Sequence, residues 1–244
     1  MIDKILRKLK GNGVQNDFVN FEGIKLPYSR SNENLSNNRS YIESGIEQIN
    51  HLLRFELINN NTKILDFGCG QGRLLNSLIY SKTDFQSYIG LDTSKKAIEW
   101  CEKHLCYHDK ISFIHLPAEN ARYNPSEKGL KPLPLAENEI DLIFLNSVFS
   151  HMLDSDISFY LSEFHKVLTS NGRVYLTAFV EENVPDMEEN PKDYLDKSVG
   201  ALHRVRFEKE FFFTLVKKAN FEVTEFHHQL IDRTKQSVFV LRKR

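Results

Sequence analysis

The stretch Lys63-Ile64-Leu65-Asp66-Phe67-Gly68-Cys69-Gly70-Gln71-Gly72-Arg73 constrains this chain more than any other. It opens as a short apolar run, the mark of a buried strand, passes an acid and breaks into three alternating glycines. Leu74, Leu75, Leu78 and Ile79 then recur at helical spacing. Strand, glycine turn and helix together bring backbone N–H groups and a helix N-terminus up to a ligand. Glycine removes side chains where ligand and backbone must nearly touch. The plain structural alternative is a tight strand-to-helix turn that holds no ligand.

Nicotinamide dehydrogenases carry G-x-G-x-x-G after their first strand. Here the acid comes first and the glycines fall at every second position. This pattern resembles the first motif of the class I S-adenosylmethionine-dependent methyltransferases. The resemblance implies a methyltransferase using S-adenosyl-L-methionine. It also implies a sheet of seven strands with the final hairpin inserted at one edge.

The rest of the chain reads compatibly. Tyr41–Ile58 has helical spacing, and Asn59-Asn60-Asn61 ends it. Phe85–Leu91 reads as a second strand, followed by Asp92-Thr93-Ser94 and a helix over Lys95–Leu105. Ile111–Leu116 is a third strand, and the Pro-, Gly- and charge-rich span from Asn124 to Pro134 is a surface loop. Ile140–Val148 is a long apolar run, as in a central parallel strand buried on both faces. A helix over Ile157–Leu168 precedes the Asn171-Gly172 turn and a strand over Arg173–Val180. Phe207–Ala219 is helical, and Phe221–Gln229 and Ser237–Arg242 are strands joined by a link too short for a helical crossover, so they must pair antiparallel. The predicted fold is α/β: a doubly wound, mostly parallel sheet with a reversed last strand. Residues 1–58 read as an N-terminal arm and helices of the same domain, and residues 59–244 as the catalytic domain with an inserted lid over 181–206.

Three stretches lie outside this pattern. Met1–Lys10 reads as a short amphipathic helix that packs on the domain, with a membrane-surface anchor as the alternative. Gly11–Ser40 reads as an irregular arm whose aromatic residues need a surface to pack on. Glu181–Val205 is acidic, holds two prolines and shows no convincing core face.

Lys plus Arg number 32 and Asp plus Glu 33, for a net charge of −1 with His neutral. That balance gives no general attraction to nucleic acid. Cys69, Cys101 and Cys106 are odd in number and sit in predicted core elements, which fits a reducing compartment. No Cys/His cluster has zinc spacing, and Asp154 and Asp156 read as helix-start acids rather than metal ligands. No stretch is apolar enough to span a membrane. A cytoplasmic location is expected, and the Asn-x-Ser/Thr triplets at Asn34, Asn38 and Asn60 are read as chance.

The strand ends supply the candidate site, where open α/β sheets bind ligands. By the resemblance, Asp66 reaches the cofactor's amino group, and Gly68 and Gly70 let its methionine part lie against the backbone. Cys69 and Arg73 belong to the same cofactor-binding motif. Asp92, with Thr93 beside it, stands where the family's acidic ribose ligand stands. A carboxylate there accepts ribose hydroxyls that would otherwise lose water on binding. Ser94 or Thr93 is equally able to cap the next helix. Ala118, Glu119 and Asn120 flank the adenine. Many relatives have an Asp two residues earlier, where this chain has Leu116 or Pro117, so Glu119 or Asn120 becomes the polar contact. Asn146 and Ser147 fall near the transferred methyl group. The prolines that shape base-flipping amine methyltransferases are missing from Asn146-Ser147-Val148-Phe149, which speaks against a nucleic-acid acceptor.

A hydroxyl acceptor needs its proton removed, whereas an amine needs only its neutral form. His151 is the first candidate base and His203 the second, with packed or solvated histidines as the alternatives. Tyr28, Arg30 and Tyr41 are candidates for closing the pocket. The Ser-Val-Phe-Ser-His stretch resembles bacterial small-molecule and sugar methyltransferases and favours O-methylation of a small molecule or sugar. Rival readings are N-methylation of a small-molecule amine or protein, and a cofactor-binding regulator without activity.

Overall fold

A computed structural model describes residues 17–28, 37–194 and 198–244. The predicted helix at Met1–Lys10 and Arg30 lie outside the described residues. The elements, in chain order, begin with β1 (Phe18–Phe21), β2 (Ile24–Pro27), α1 (Asn38–Arg54), β3 (Lys63–Phe67) and α2 (Arg73–Ser81). Next come β4 (Ser87–Asp92), α3 (Lys95–Leu105), β5 (Ile111–His115) and β6 (Ile140–Leu145). A 3-10 turn spans Phe149–His151, before α4 (Asp154–Val167) and β7 (Leu168–Glu181). The chain continues through β8 (Met187–Glu189), β9 (Val205–Glu208), α5 (Lys209–Lys218), β10 (Phe221–Ile231) and β11 (Gln236–Lys243).

The central sheet runs β10-β11-β7-β6-β3-β4-β5. Neighbours from β7 to β5 are parallel, and β11 is antiparallel to both β7 and β10. This is the predicted doubly wound sheet with its reversed last strand. β9 adds to β7 in parallel, and β8 pairs antiparallel with β9.

Period-two alternation explains why both faces are dry. Ile64, Leu142, Phe144 and Tyr175 pack against α1, α2 and α3. Their neighbours Leu65, Ile143, Leu145 and Leu176 pack on the opposite face against α4 and α5. Each such side chain, removed from water, contributes about 1.5–3 kcal/mol. The predicted apolar run to Val148 ends earlier as a strand, at Leu145, because Ser147 turns into the left-handed region (φ 58°).

The arm departs from expectation. Residues 18–27 form a hairpin rather than irregular chain, turned by Glu22 and Gly23 at φ 49° and 87°, with Asn20 Oδ1 accepting from Gly23 N at 3.1 Å. Its aromatic residues do find surfaces: Phe18 meets His104 and Phe21 meets Tyr80. Asp17 anchors the hairpin, its carboxylate accepting from Lys103 and contacting His104 while its carbonyl accepts from Trp100. Helix α1 starts earlier than predicted because the Asn37 side chain caps the N–H groups of Arg39 and Ser40. It also ends earlier, at Arg54. Asn171-Gly172 proves to be an irregularity within β7 rather than a turn before it.

The insertion after β7 has more order than its composition suggests. Leu202 and Val205 are buried, which supplies the core face missing from the sequence reading. Arg206, only 4% exposed, joins its strands by bonding Glu181 of β7, Glu188 of β8 and Asp193.

Candidate active site

The carboxyl ends of β3, β4 and β6 open onto one cavity of about 470 Å³. The glycine loop forms one wall. Gly68 N and Cys69 N both donate to the Leu91 carbonyl, at 2.7 and 3.1 Å, which hooks the loop onto the end of β4. Gly70 N donates to Asp92 Oδ2 at 2.7 Å, and Ser94 N donates to Oδ1 at 2.7 Å. The Ser94 hydroxyl caps α3 by accepting from Ala97 N, so capping leaves Asp92 on the wall of the cavity. Burial raises the Asp92 carboxyl above its usual range while these N–H groups oppose the rise.

The glycines differ in what they do. Gly68 (φ 81°) lies under Val148, whose Cγ2 would stand 2.5 Å from an added Cβ. Gly70 (φ 53°) faces open space, with nothing within 4 Å of an added Cβ. Gly68 therefore packs the loop against the turn after β6, and Gly70 keeps backbone open to a ligand.

Of the residues named from sequence, Gly68, Gly70, Asp92, Thr93, Ala118, Glu119, Asn120, Ser147 and His151 line the cavity together. Asp66, Cys69, Arg73, Asn146 and His203 are not on its wall. Asp66 is 3% exposed and accepts from the Tyr88 hydroxyl at 2.6 Å. Its burial lifts the carboxyl to about 7, against the pull of the Tyr88 hydrogen bond and the Arg73 charge. Cys69 and Cys101 are buried thiols that both reach the Gly70 carbonyl at 3.5 Å. Burial lowers the Arg73 guanidinium from its ordinary value. Of the residues read as closing the pocket from the arm, Tyr28 is exposed, and Tyr41 is buried with its hydroxyl donating to the Gln71 carbonyl.

The two candidate adenine contacts carry structural duties. Asn120 Oδ1 accepts from Arg122 N and Tyr123 N at 3.0 Å each, and its Nδ2 donates to the His151 carbonyl at 3.0 Å. Glu119 exchanges two bonds with Gly129: its N–H donates to the Gly129 carbonyl, and its Oε2 accepts from Gly129 N.

His151 sits where three segments meet. Its Nδ1 lies 2.9 Å from the Leu202 carbonyl and its ring meets Tyr123 edge-on. A carbonyl accepts only, so Nδ1 carries the proton and Nε2 holds the lone pair. Burial lowers the imidazole to about 4, with Arg122 and His203 charges adding to the effect, so the ring is neutral near pH 7. His203 Nδ1 accepts from Val199 N at 2.6 Å in the insertion.

Sequence reasoning missed Tyr88, Tyr123, Thr177 and Gln236. Ser147 N donates to Thr177 Oγ1 at 2.8 Å, and Ser147 Oγ accepts from Gln236 Nε2 at 2.7 Å. No local pattern marks Thr177 or Gln236; only the placement of β11 beside β7 brings them there. Tyr123 was within reach of sequence, as an aromatic three residues beyond the Asn120 already singled out. Among the described residues, no group of three or more His, Cys, Asp or Glu is placed to hold a metal. Among them also, no helix is long and apolar enough to cross a membrane.

A parallel sheet with a reversed last strand, an acid-led glycine loop and a carboxylate ending the neighbouring strand define a class I methyltransferase. The family comparison agrees: a methyltransferase-domain family matches residues 58–220, and the chain belongs to the class I S-adenosylmethionine-dependent methyltransferases. Solved structures share the fold. An S-adenosylmethionine-dependent methyltransferase from Leishmania major is similar with a TM-score of 0.60 at 15% identity, covering 83% of this chain and 74% of that one. Magnesium protoporphyrin IX methyltransferase from Synechocystis PCC 6803 has a TM-score of 0.56 at 13% identity, covering 89% and 88%. The 1,6-didemethyltoxoflavin-N1-methyltransferase of Burkholderia thailandensis has a TM-score of 0.54 at 14% identity, covering 84% and 79%.

The residues present fit S-adenosylmethionine. Gly70 leaves a cradle that a side chain would fill, and Asp92 offers a desolvated carboxylate with capacity left to accept from ligand hydroxyls.

Proposed function

We propose that this methyltransferase acts on a hydroxyl of a small molecule, a sugar among the candidates, with His151 receiving the proton that the acceptor loses. The observation that carries this reading is the His151 ring: neutral, on the cavity wall, with Nδ1 committed to Leu202 and its lone pair on Nε2. Asp92 would accept from the ribose hydroxyls, the Gly68–Gly70 backbone would line the methionine part, and Ala118 and Glu119 would flank the adenine. Asp66 would answer the cofactor's amino group through the loop rather than from the wall.

Bound there, the cofactor supplies a methyl group already activated by its positive sulfonium. The protein's task is then alignment and exclusion of water, which is worth several kcal/mol. As the acceptor oxygen takes the methyl group its O–H becomes strongly acidic, and even a weakly basic imidazole accepts that proton late in the step. Loop 118–124 and the insertion are joined to each other, Arg122 donating to the Val199 carbonyl at 3.0 Å. Cavities of roughly 300–1,000 Å³ suit small ligands, and the cofactor would occupy most of this one.

The same low basicity favours a second reading, N-methylation of a small-molecule amine that arrives neutral and needs no base. One experiment separates them. Purified protein is offered panels of hydroxyl and amine acceptors, with S-adenosylhomocysteine release followed. His151→Ala is expected to lower transfer to a hydroxyl by about 10²–10⁴-fold. Transfer confined to amines and untouched by His151→Ala would overturn the hydroxyl reading.

A further inference from the structure

The turn at 200–204 is held by two consecutive side chains at the end of β8. Asn190 spans its ends: Oδ1 accepts from Arg204 N at 3.1 Å and Nδ2 donates to the Gly200 carbonyl at 3.0 Å. The Asn190 backbone N–H also donates to the Arg204 carbonyl at 2.7 Å. Glu189 Oε1 accepts from Leu202 N at 2.7 Å. Both Asn190 (φ 53°) and Leu202 (φ 47°) lie in the left-handed region. Asn tolerates that conformation, whereas Leu does so only under restraint. The apex of this restrained turn is the Leu202 carbonyl, which meets His151 Nδ1.

The geometry points to Asn190 and Glu189 as positioning residues for His151: by fastening the 200–204 turn they hold the Leu202 carbonyl against Nδ1, which keeps the ring in one tautomer with Nε2 turned to the acceptor. The inference rests on reading His151 as the group that receives the acceptor's proton. Neither residue touches the cavity, and neither needs to. The groups facing His151 are the Leu202 carbonyl, the Tyr123 ring, and the charges of Arg122 and His203, while its own carbonyl accepts from Asn120. The Leu202 carbonyl bonds Nδ1, and the backbone of His203, the next residue of the same turn, also hydrogen-bonds the ring. Release of the turn would leave nothing to choose between the two nitrogens, and water would reach the ring.

Imidazole ¹⁵N spectra of the full chain test this, with His151 assigned by loss of its signals in His151→Gln. In the wild type one nitrogen is expected at a protonated-type shift and the other at a pyridine-type shift, with no titration in the ordinary imidazole range. Asn190→Gly keeps the left-handed backbone but removes both side-chain bonds. It is expected to draw the two shifts toward each other and to bring a titration step into the ordinary imidazole range. Glu189→Ala should act in the same direction. Asn190→Asp, which still accepts from Arg204 N, should restore much of the separation. Retained S-adenosylhomocysteine binding shows that each variant is folded. A purely structural role would lower stability and leave the His151 shifts in place. Unchanged shifts in folded Asn190→Gly, or a tautomer mixture in the wild type, would overturn the inference. The spectra answer independently of the rate loss in His151→Ala, so failure of the positioning role and failure of the proton-acceptor reading are distinguishable.

Discussion

The Gln236 amide, at the start of the last strand, donates to the Ser147 hydroxyl across 2.7 Å. Its carbonyl accepts from Thr177 at 2.5 Å, and Thr177 in turn accepts from Ser147 N. Strands β7 and β11 and the turn after β6 thus close a ring of bonds beneath the cavity and hold Ser147 at a φ that a serine adopts only under restraint. Gln236 and Thr177 are buried, so breaking the ring strands polar groups away from water. Each stranded group costs about 1–3 kcal/mol. Gln236→Leu is therefore expected to lower stability by about 2–4 kcal/mol in denaturant titration and to weaken methyl transfer more than S-adenosylhomocysteine binding. Equal loss in both would place the ring's effect on the fold alone.

If Asp66 answers the cofactor's amino group as proposed, it is expected to link cofactor binding to pH. Burial lifts its folded carboxyl to about 7, well above its unfolded value, so the free protein holds this proton through the acidic range. The group therefore favours the folded state at low pH, and that contribution is lost progressively as pH rises from the unfolded value to about 7. Arg73, Asp92 and Tyr88 are the other charged or titrating groups that act on it, with Cys69 beside them. A cofactor amino group nearby would favour the carboxylate, so binding would release the proton. Affinity for S-adenosylhomocysteine is expected to rise by about tenfold between roughly pH 6 and pH 8. Calorimetry in buffers of different ionisation enthalpy would register the released proton. Asp66→Asn should flatten the dependence, and Tyr88→Phe, which removes a bond to the charged form, should push the midpoint higher.

The sheet was legible in the sequence because period-two alternation on two buried faces leaves little choice of element type. The reversed last strand followed from the short link between β10 and β11. The cavity wall was legible where chemistry and strand ends coincide, as at Gly70 and Asp92. What stayed hidden depends on register and on contacts between distant segments. Tyr88 meets Asp66 because Ile64 pairs with Tyr88 and Asp66 with Gly90, a diagonal that no single strand displays. The 18–27 hairpin was missed because its turn uses Glu22-Gly23 rather than a stronger turn pair, in segments of four residues each. The insertion's internal order was missed because it comes from Arg206 and from Asn190, single polar residues whose partners lie far along the chain or in a turn with no pattern of its own.

Gly68 and Gly70 should respond differently to alanine. At Gly70 an added Cβ meets nothing in the protein, so only the left-handed backbone is penalised, by about 1–2 kcal/mol. The methyl would stand in the cradle, and S-adenosylhomocysteine binding should fall by more than tenfold while the fold survives. At Gly68 the same methyl would drive into Val148, so Gly68→Ala should show the larger loss of stability. Thermal melts with and without ligand would separate the two, and a Gly70→Ala protein that binds normally would remove the cradle from the site.

Asp92 holds the loop as well as facing the cavity, so its removal should do two things. Its carboxylate accepts from Gly70 N and Ser94 N, bonds to a charged group worth about 1.5–3 kcal/mol each. Asp92→Ala leaves both N–H groups without their acceptor and removes the carboxylate proposed for the ribose. S-adenosylhomocysteine binding should become undetectable by calorimetry, with stability lowered. Asp92→Asn keeps a carbonyl for only one of those N–H groups and should weaken binding by about tenfold or more, since a neutral amide accepts hydroxyls less strongly than a carboxylate. Glu119→Gln provides the contrast. Glu119 is exposed, and the bond its Oε2 accepts from Gly129 N is kept by the amide carbonyl. It should bind within a few-fold of the wild type. A larger loss at Glu119 than at Asp92 would move the anchor of the cofactor from the end of β4 to the loop after β5.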